Sequence, residues 1–133
     1  MYMLDTNICI YIIKKQPISV LQKFESLAVG SVHMSLITYG ELEYGALRSN
    51  NSKKAQDILD ELAAYIPVLS VPLGVAKEYA DIRAKLAVKG TPIGNNDLWI
   101  AAHARGLGYT LVTNNVKEFE RVDGLKLENW VQD

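Results

Sequence analysis

The most informative segment of the chain reads Tyr2-Met3-Leu4-Asp5-Thr6-Asn7, a short apolar strand ended by a carboxylate and two small polar residues. Residues 7–15 then form a predicted buried helix, which stops before Pro17 because proline cannot continue it. A strand that runs directly into a buried helix is the first half of a βαβ unit. This segment therefore predicts an α/β fold.

The rest of the chain repeats the alternation of short apolar strands and helices. Further strands are expected over residues 32–34, 68–71, 109–113 and 125–127, and further helices over residues 18–27, 38–48, 74–89 and 96–105, with an amphipathic helix opening at Ser52. Strands separated by helices imply a parallel sheet that is covered on both faces. We therefore expect an α/β/α sandwich with a short, mainly parallel central sheet of about four to five strands.

Composition narrows the class of protein. The 133 residues suit a single domain over residues 1–133, and 49% apolar residues can form its core. The net charge of −1 excludes a polycation that coats nucleic acid, and the single cysteine excludes a disulfide framework or a cysteine-rich zinc site. The longest apolar run, residues 8–13, is about a third of what a bilayer requires. With no signal peptide in the sequence, we expect a cytoplasmic protein without membrane contact.

Three acids follow the predicted strands or open a helix beside them. Asp5 ends the first strand, Glu41 follows the second within a few residues, and Asp97 opens the helix before the fourth. Ligands of parallel sheets bind at the carboxyl ends of the strands, so these side chains are expected at one edge. Three close carboxylates cannot all stay ionised without a cation. Oxygen ligands favour Mg²⁺ or Mn²⁺, which can activate water against a phosphodiester.

Each acid taken alone also has a purely structural interpretation. Asp5 is placed to cap the first helix, and Thr38 with Glu41 matches a capping box. Asp97 is placed to complement a helix dipole in the first turn. Helix capping does not require three helix starts to converge at one end of a sheet, so the coincidence favours a shared site.

The other residues that could bind a metal or a phosphate are less clearly indicated by the sequence. His33 and His103 are expected to be packed or surface side chains rather than metal ligands. Cys9 lies among isoleucines and is expected to be a buried thiol. Basic residues that could form a phosphate-binding rim are Lys14, Lys15, Arg48, Arg83, Lys85, Arg105 and Lys117.

Four motifs in order resemble a known family. They are Met3-Leu4-Asp5-Thr6-Asn7, Thr38-Tyr39-Gly40-Glu41-Leu42, the segment from Ile93 to Ala104, and Leu111-Val112-Thr113-Asn114-Asn115. Together they resemble the PIN-domain ribonucleases and, more narrowly, the VapC toxins of bacterial toxin–antitoxin pairs. The long third motif resembles the enterobacterial and Haemophilus-type VapC toxins, and the likeness runs the whole length of the chain.

This resemblance implies a PIN-like α/β/α fold and a specific activity. It implies a Mg²⁺-dependent endoribonuclease, with Mn²⁺ able to substitute, that cuts the anticodon region of initiator tRNA and so inhibits translation. It also implies a homodimer and a VapB-type antitoxin, through which alone the toxin would contact operator DNA.

The resemblance also assigns residues. The catalytic acids of the family fall on Asp5, Glu41 and Asp97, and Asp5 and Asp97 are the expected metal ligands. Many relatives carry a fourth acid where this chain has Asn115, and Glu118 could replace it or be surface charge. Candidates for orienting the carboxylates are Thr6, Asn96, Thr113 and Asn115.

Two alternatives from other functional classes remain open at this point. A phospho-receiver-like signalling module is also a small doubly wound domain that binds Mg²⁺, but it needs an aspartate after a middle strand. Here Ser35 and Ser70 occupy the neighbourhoods after the second and third predicted strands. The other alternative is a PIN scaffold without catalysis, which the three acids disfavour and Asn115 keeps open.

Overall fold

The structure is a computed structural model that describes residues 1–132. Its helices are α1 (Thr6–Lys14), α2 (Ile18–Glu25), α3 (Leu36–Leu47), α4 (Ser52–Tyr65), α5 (Val75–Lys89), α6 (Asn95–Leu107) and α7 (Val116–Phe119). Its strands are β1 (Tyr2–Leu4), β2 (Val32–Ser35), β3 (Val68–Leu69), β4 (Thr110–Val112) and β5 (Leu127–Glu128).

The five strands form one sheet in the order β3-β2-β1-β4-β5, and every neighbouring pair is parallel. Leu4 of β1 lies between Met34 of β2 and Val112 of β4. The chain moves outward from β1 through β2 to β3 and then returns to the other side of β1. This reversal opens a crevice at the carboxyl ends of β1 and β4, where α/β sheets bind their ligands. The predicted short parallel sheet is confirmed.

Alternate residues of the central strands supply two separate cores. Leu4, Met34 and Val112 pack under α1 to α4, whereas Met3 and Leu111 pack under α5, α6 and α7. Side chains of successive strand residues point to opposite faces, so a strand of three apolar residues serves both cores. The helices therefore cover both faces of the sheet, as expected.

The start of α3 differs from the prediction, and the difference concerns a site residue. The helix begins at Leu36 rather than residue 38, because the hydroxyl of Ser35 accepts a 3.1 Å hydrogen bond from the backbone N–H of Ile37. The predicted capping box between Thr38 and Glu41 is therefore wrong, since both residues lie inside the helix. The carboxylate of Glu41 is left available for other contacts.

Smaller differences lie at element ends. The strands predicted over residues 68–71, 109–113 and 125–127 are Val68–Leu69, Thr110–Val112 and Leu127–Glu128. Helix α7 is a single turn, which is too short to give a helical period in the sequence. No helix within residues 1–132 combines the length and the apolar character needed to cross a bilayer.

Candidate active site

Asp5 lies at the crevice and serves two purposes there. Its backbone N–H donates to the carbonyl of Val112 (3.0 Å), and its Oδ1 caps α1 by accepting from the N–H of Ile8 (3.0 Å). The residue is only 6% exposed. Burial raises the pKa of its carboxyl and the charge of Glu41 raises it further, while the side chain of Thr113 and the capped N–H groups lower it. The predicted capping role of Asp5 is therefore confirmed, and its second carboxylate oxygen remains available at the crevice.

Glu41 projects from the second turn of α3 toward the start of α1. The hydroxyl of Thr6 donates a 2.8 Å hydrogen bond to Oε1 of Glu41 and lies 3.4 Å from the hydroxyl of buried Thr38. The residue directly after Asp5 thus orients the second acid. Because this contact joins residues 35 positions apart, it fixes α1 against α3 at the edge of the sheet.

Asp97 lies in the first turn of α6, where the charges of Glu118, Glu41 and Asp5 act on its carboxyl. Burial raises the pKa of its carboxyl from 3.8 to about 7, helped by a hydrogen bond and the charge of Glu118 and by the charges of Glu41 and Asp5. The amide of Asn115 donates a 2.6 Å hydrogen bond to Oε2 of Glu118. Glu118 therefore lies close enough to Asp97 to affect its pKa, and Asn115 orients the Glu118 carboxylate.

The remaining predicted positions surround these acids. Thr113 is fully buried beside Asp5, and its hydroxyl accepts a 2.9 Å hydrogen bond from the N–H of Asn115. Asn96 is exposed and shares the lining of a cavity of about 390 Å³ with Glu41 and Tyr44. Glu41 is therefore accessible from solvent, as a substrate-facing acid must be.

The chemistry of this cluster suits a divalent cation. Asp5, Glu41, Asp97 and Glu118 offer only oxygen ligands. Burial raises the pKa values of Asp5 and Asp97, and the charges of neighbouring carboxylates raise them further. Among residues 1–132, no three acidic, histidine or cysteine side chains already converge closely enough to hold one ion. The donor set thus fits a hard cation, but its side chains would have to rotate, or bind through water, to share it.

One polar contact near the site was not predicted. His103 of α6 is fully buried, and its Nδ1 lies 2.8 Å from the hydroxyl of Ser35 at the start of α3. This pair joins the helix that carries Asp97 to the helix that carries Glu41. The position of Ser35 at the end of β2 was the available signal, because polar residues at strand ends face the crevice.

Two of the basic residues that were candidates for a phosphate-binding rim are engaged by acids instead. Arg105 is engaged by Glu78 (2.6 Å) and Asp81 (2.8 Å), and Lys85 pairs with Asp81 at 3.1 Å. These two cations tie α5 to α6 or lie along α5, so they are not free for phosphate. Cys9 and His33 are buried as expected.

The comparisons with known proteins place this geometry in a family. The family model of the PIN domain matches residues 2–125. The chain belongs to the PIN-domain family. Ribonucleases of this family generally depend on a divalent metal.

Relatives of this PIN domain are similar over almost the whole chain. It is 43% identical over 130 residues to ribonuclease VapC2 of Haemophilus influenzae, covering 98% of both chains. It is also 43% identical over 129 residues to the tRNA(fMet)-specific endonuclease VapC of Shigella flexneri, covering 97% of both. A solved structure of VapBC2 from Rickettsia felis, bound to a DNA fragment from its promoter, contains a chain 42% identical with a TM-score of 0.92, covering 98% of both.

The sheet also separates this PIN domain from the receiver alternative. Flavodoxin-like doubly wound domains of that kind have the strand order 2-1-3-4-5, whereas the order here is β3-β2-β1-β4-β5. The residues at the ends of β2 and β3 are Ser35 and Ser70, with no aspartate to accept a phosphoryl group. The phospho-receiver interpretation is therefore wrong.

Proposed function

We propose that this PIN domain is the toxin of a type II toxin–antitoxin pair, a Mg²⁺-dependent endoribonuclease that cuts the anticodon region of initiator tRNA. The observation that carries the proposal is the placement of Asp5, Glu41 and Asp97 at the β1/β4 crevice, where burial raises the pKa of Asp5 and of Asp97 and the charge of Glu41 raises both further. The names of the VapC relatives support the same activity and substrate class. We further propose that residues 1–133 act as one cytoplasmic domain.

The proposed roles follow from the contacts of each acid. Asp5 and Asp97 would hold Mg²⁺ or Mn²⁺, and Glu41, held by Thr6, would orient the attacking water. When bound, the ion supplies positive charge at the scissile phosphate and acidifies that water. Water attacks phosphorus, the bond to the 3′ oxygen breaks, and the proton ends on that oxygen. The products are a 3′-hydroxyl and a 5′-phosphate, and no side-chain nucleophile is needed.

Glu118 takes the place of the missing fourth acid in this proposal. It lies against Asp97 and is oriented by Asn115, the residue that stands at the position of that acid in many relatives. The fourth carboxylate of the proposed site is therefore that of Glu118, three residues after Asn115, and the amide of Asn115 orients it.

The proposed partner is a VapB-type antitoxin. A groove of about 300 Å³ runs between α1, α3 and α4, with walls that include Ile10, Leu42 and Ile58. Thr6 and Glu41 lie in the same lining, so a segment in this groove would reach the acids. The VapBC complexes among the structural relatives support such a partner, and operator DNA would be contacted through it.

A homodimer is also proposed, and α3 supplies a face for it. Leu36, Gly40, Tyr44 and Leu47 are exposed at helical spacing, with Tyr44 60% and Leu47 75% exposed. An apolar stripe of this kind is typical of surfaces that another chain covers.

The test is cleavage of unfractionated tRNA with Mg²⁺, with Mn²⁺ and with EDTA, followed by mapping of the new 5′ ends. We expect one dominant cut in the anticodon loop of initiator tRNA, with metal only. Asp5→Asn should abolish cleavage and keep the fold, because asparagine also caps helices. Cleavage by Asp5→Asn at the native rate would overturn the site, and no cleavage under any condition would favour a non-catalytic PIN scaffold.

A further inference from the structure

A second cavity lies between α5, the segment before α6 and the first turn of α6. It measures about 250 Å³, has apolar walls formed by Leu86, Pro92, Ile93 and Leu98, and has Arg83 and Asn95 as its polar lining. This volume is below the roughly 300–1,000 Å³ of pockets for drug-sized ligands, so it suits a single planar ring system. Nothing in the proposed chemistry uses this cavity.

Arg83 is held in place at the cavity without being neutralised. Its Nη1 donates a 2.7 Å hydrogen bond to the hydroxyl of Tyr79, and its guanidinium lies 5.9 Å from the centre of that ring. Among residues 1–132, Arg83 forms no ion pair, in contrast to Arg105 on α6. Most of its N–H donors are therefore free and already positioned.

Tyr79 connects this arginine to α6. Its hydroxyl donates a 2.5 Å hydrogen bond to Oδ1 of Asn95, and its ring stacks on Trp99 with centroids 4.0 Å apart and planes 15° apart. Two contacts to α6 and one to Arg83 fix the rotamer of Tyr79. The arrangement is rigid before any ligand arrives, which lowers the entropic cost of binding.

The cavity borders the acidic cluster. A Cβ atom built on Gly94 would lie 3.6 Å from Oδ2 of Asp97, so the backbone before α6 runs directly along this carboxylate. Pro92, Ile93 and Asn95 from the same segment line the cavity. A chain of nucleotides with its scissile phosphate at Asp97 would therefore place a neighbouring nucleotide here.

We propose that this cavity is a nucleotide subsite for the RNA substrate, in which Arg83 binds a phosphate next to the cleaved one and the apolar walls take the attached base. The inference rests on the proposed ribonuclease function. The acids repel RNA and the whole chain carries a net charge of −1, so affinity has to come from local cations. An arginine with free N–H donors matches a phosphate, and the apolar walls match the face of a base.

The test compares Arg83→Met with Lys54→Met, both in the inactive Asp5→Asn protein. Methionine keeps an unbranched, flexible side chain without the charge. Lys54 is an exposed lysine of α4, so Lys54→Met removes the same unit charge at a site away from the cavity. The dissociation constant for the RNA that the native protein cleaves is measured over a series of KCl concentrations. We expect Arg83→Met to weaken binding about 5- to 10-fold and to lower the salt slope by about 0.7 to 1, with little change for Lys54→Met.

A third variant tests the positioning of Arg83. Tyr79→Phe keeps the stack on Trp99 but removes the hydroxyl that joins Arg83 to Asn95, so binding should weaken by a smaller factor than in Arg83→Met. If Arg83→Met binds RNA as tightly as its parent while the native protein cleaves, the subsite is wrong and the ribonuclease stands. If Arg83→Met weakens the complex with an antitoxin but not the complex with RNA, the cavity binds a peptide segment, and the proposed nucleotide subsite is also wrong. If the native protein cleaves no RNA with either metal, the proposed function itself fails.

Discussion

The ionised form of Asp97 destabilises the folded protein in the absence of a bound cation. Burial and the neighbouring Glu118 raise the pKa of its carboxyl to about 7, above the ordinary value of 3.8. Between these two values Asp97 of the folded chain holds a proton that the unfolded chain has lost, so the contribution of Asp97 to stability falls as the pH rises from about 4 toward 7. A cation bound to the ionised carboxylates removes this cost.

The first prediction concerns stability without metal. In EDTA, the melting temperature of the native protein should fall by several degrees between about pH 5 and about pH 8, because Asp97 ionises in this range. Asp97→Asn should flatten the profile and raise the melting temperature at the upper pH. Circular dichroism melts give both values. A profile equally steep in the two proteins would show that Asp97 is not the responsible group.

The second prediction concerns Glu118. Glu118→Gln should lower the pKa of Asp97, so that the pH profile of cleavage at limiting Mg²⁺ shifts to lower pH. More Mg²⁺ should also be needed for half-maximal cleavage, since one carboxylate is lost. The matched control is Glu120→Gln, an exposed acid two residues further on. If Glu118→Gln and Glu120→Gln required the same Mg²⁺ concentration for half-maximal cleavage, Glu118 would not contribute to metal binding.

At the scale of single residues, position relative to the strands was the useful signal. Asp5, Glu41 and Asp97 were placed at one edge because each follows a strand or opens a helix, and the structure brings them there. The role of Glu118 stayed undecided because one helical turn gives no period. The interpretation of Glu41 as a capping residue failed because Ser35 competes for the same helix start.

At the scale of elements, α3 and α6 carry two of the acids and meet through one buried polar contact. Ser35 caps α3, and its hydroxyl also contacts the ring of His103, whose pKa is lowered by burial. The buried apolar residues of α3 and α6, such as Leu42 and Ile100, form contacts without directional preference. The hydrogen bond between Ser35 and His103 is directional and so restricts the spacing of Glu41 and Asp97.

The third prediction tests this contact. Ser35→Ala removes a helix cap and the partner of a buried ring nitrogen, so the free energy of unfolding should fall by about 1–3 kcal/mol. Urea denaturation measures the change. In a double-mutant cycle with His103→Leu, a coupling energy above about 0.5 kcal/mol is expected. Strict additivity of the two substitutions would contradict a direct interaction.

The bounds of helices and strands can be predicted from the sequence where an apolar run is flanked by proline, glycine or a charged residue. They are harder to predict where no such residue marks the end. The three-residue strand β1 is predicted correctly because a carboxylate ends it. Strand β3 is shorter than predicted and β5 lies further along the chain, because only two residues of each pair with a neighbour. Strand pairing depends on partners that the local sequence does not contain. The order of the strands likewise had to come from the structure.

At the scale of the whole molecule, the sheet order gathers groups that are far apart in the chain. The groove beside α4 and the acids at the crevice share Thr6 and Glu41, although they are formed by different elements. Two surfaces with common residues cannot be occupied independently. The proposed antitoxin and the proposed RNA are therefore expected to exclude one another.

The fourth prediction tests the groove. Ile58 is 38% exposed on its wall, and Ile58→Asp should weaken the complex with the antitoxin at least about 10-fold, because a charge would be buried against apolar side chains. Isothermal titration calorimetry with the purified antitoxin gives the affinity, and melting curves check the fold. The control is Val88→Asp, an exposed apolar residue of α5 at 90% exposure. Equal affinities for both variants would place the antitoxin elsewhere.

The double duty of Thr6 and Glu41 has a consequence for how such a pair would behave in a growing cell. If the antitoxin and the RNA compete for the same residues, inhibition of the toxin depends on the ratio of antitoxin to toxin. It requires no chemical modification of the toxin. Loss of the antitoxin would then expose the folded active site immediately, because the toxin would not need to refold or mature. Fresh inhibitor would silence it again just as quickly, so the arrest would be reversible for as long as the cell could still synthesise protein.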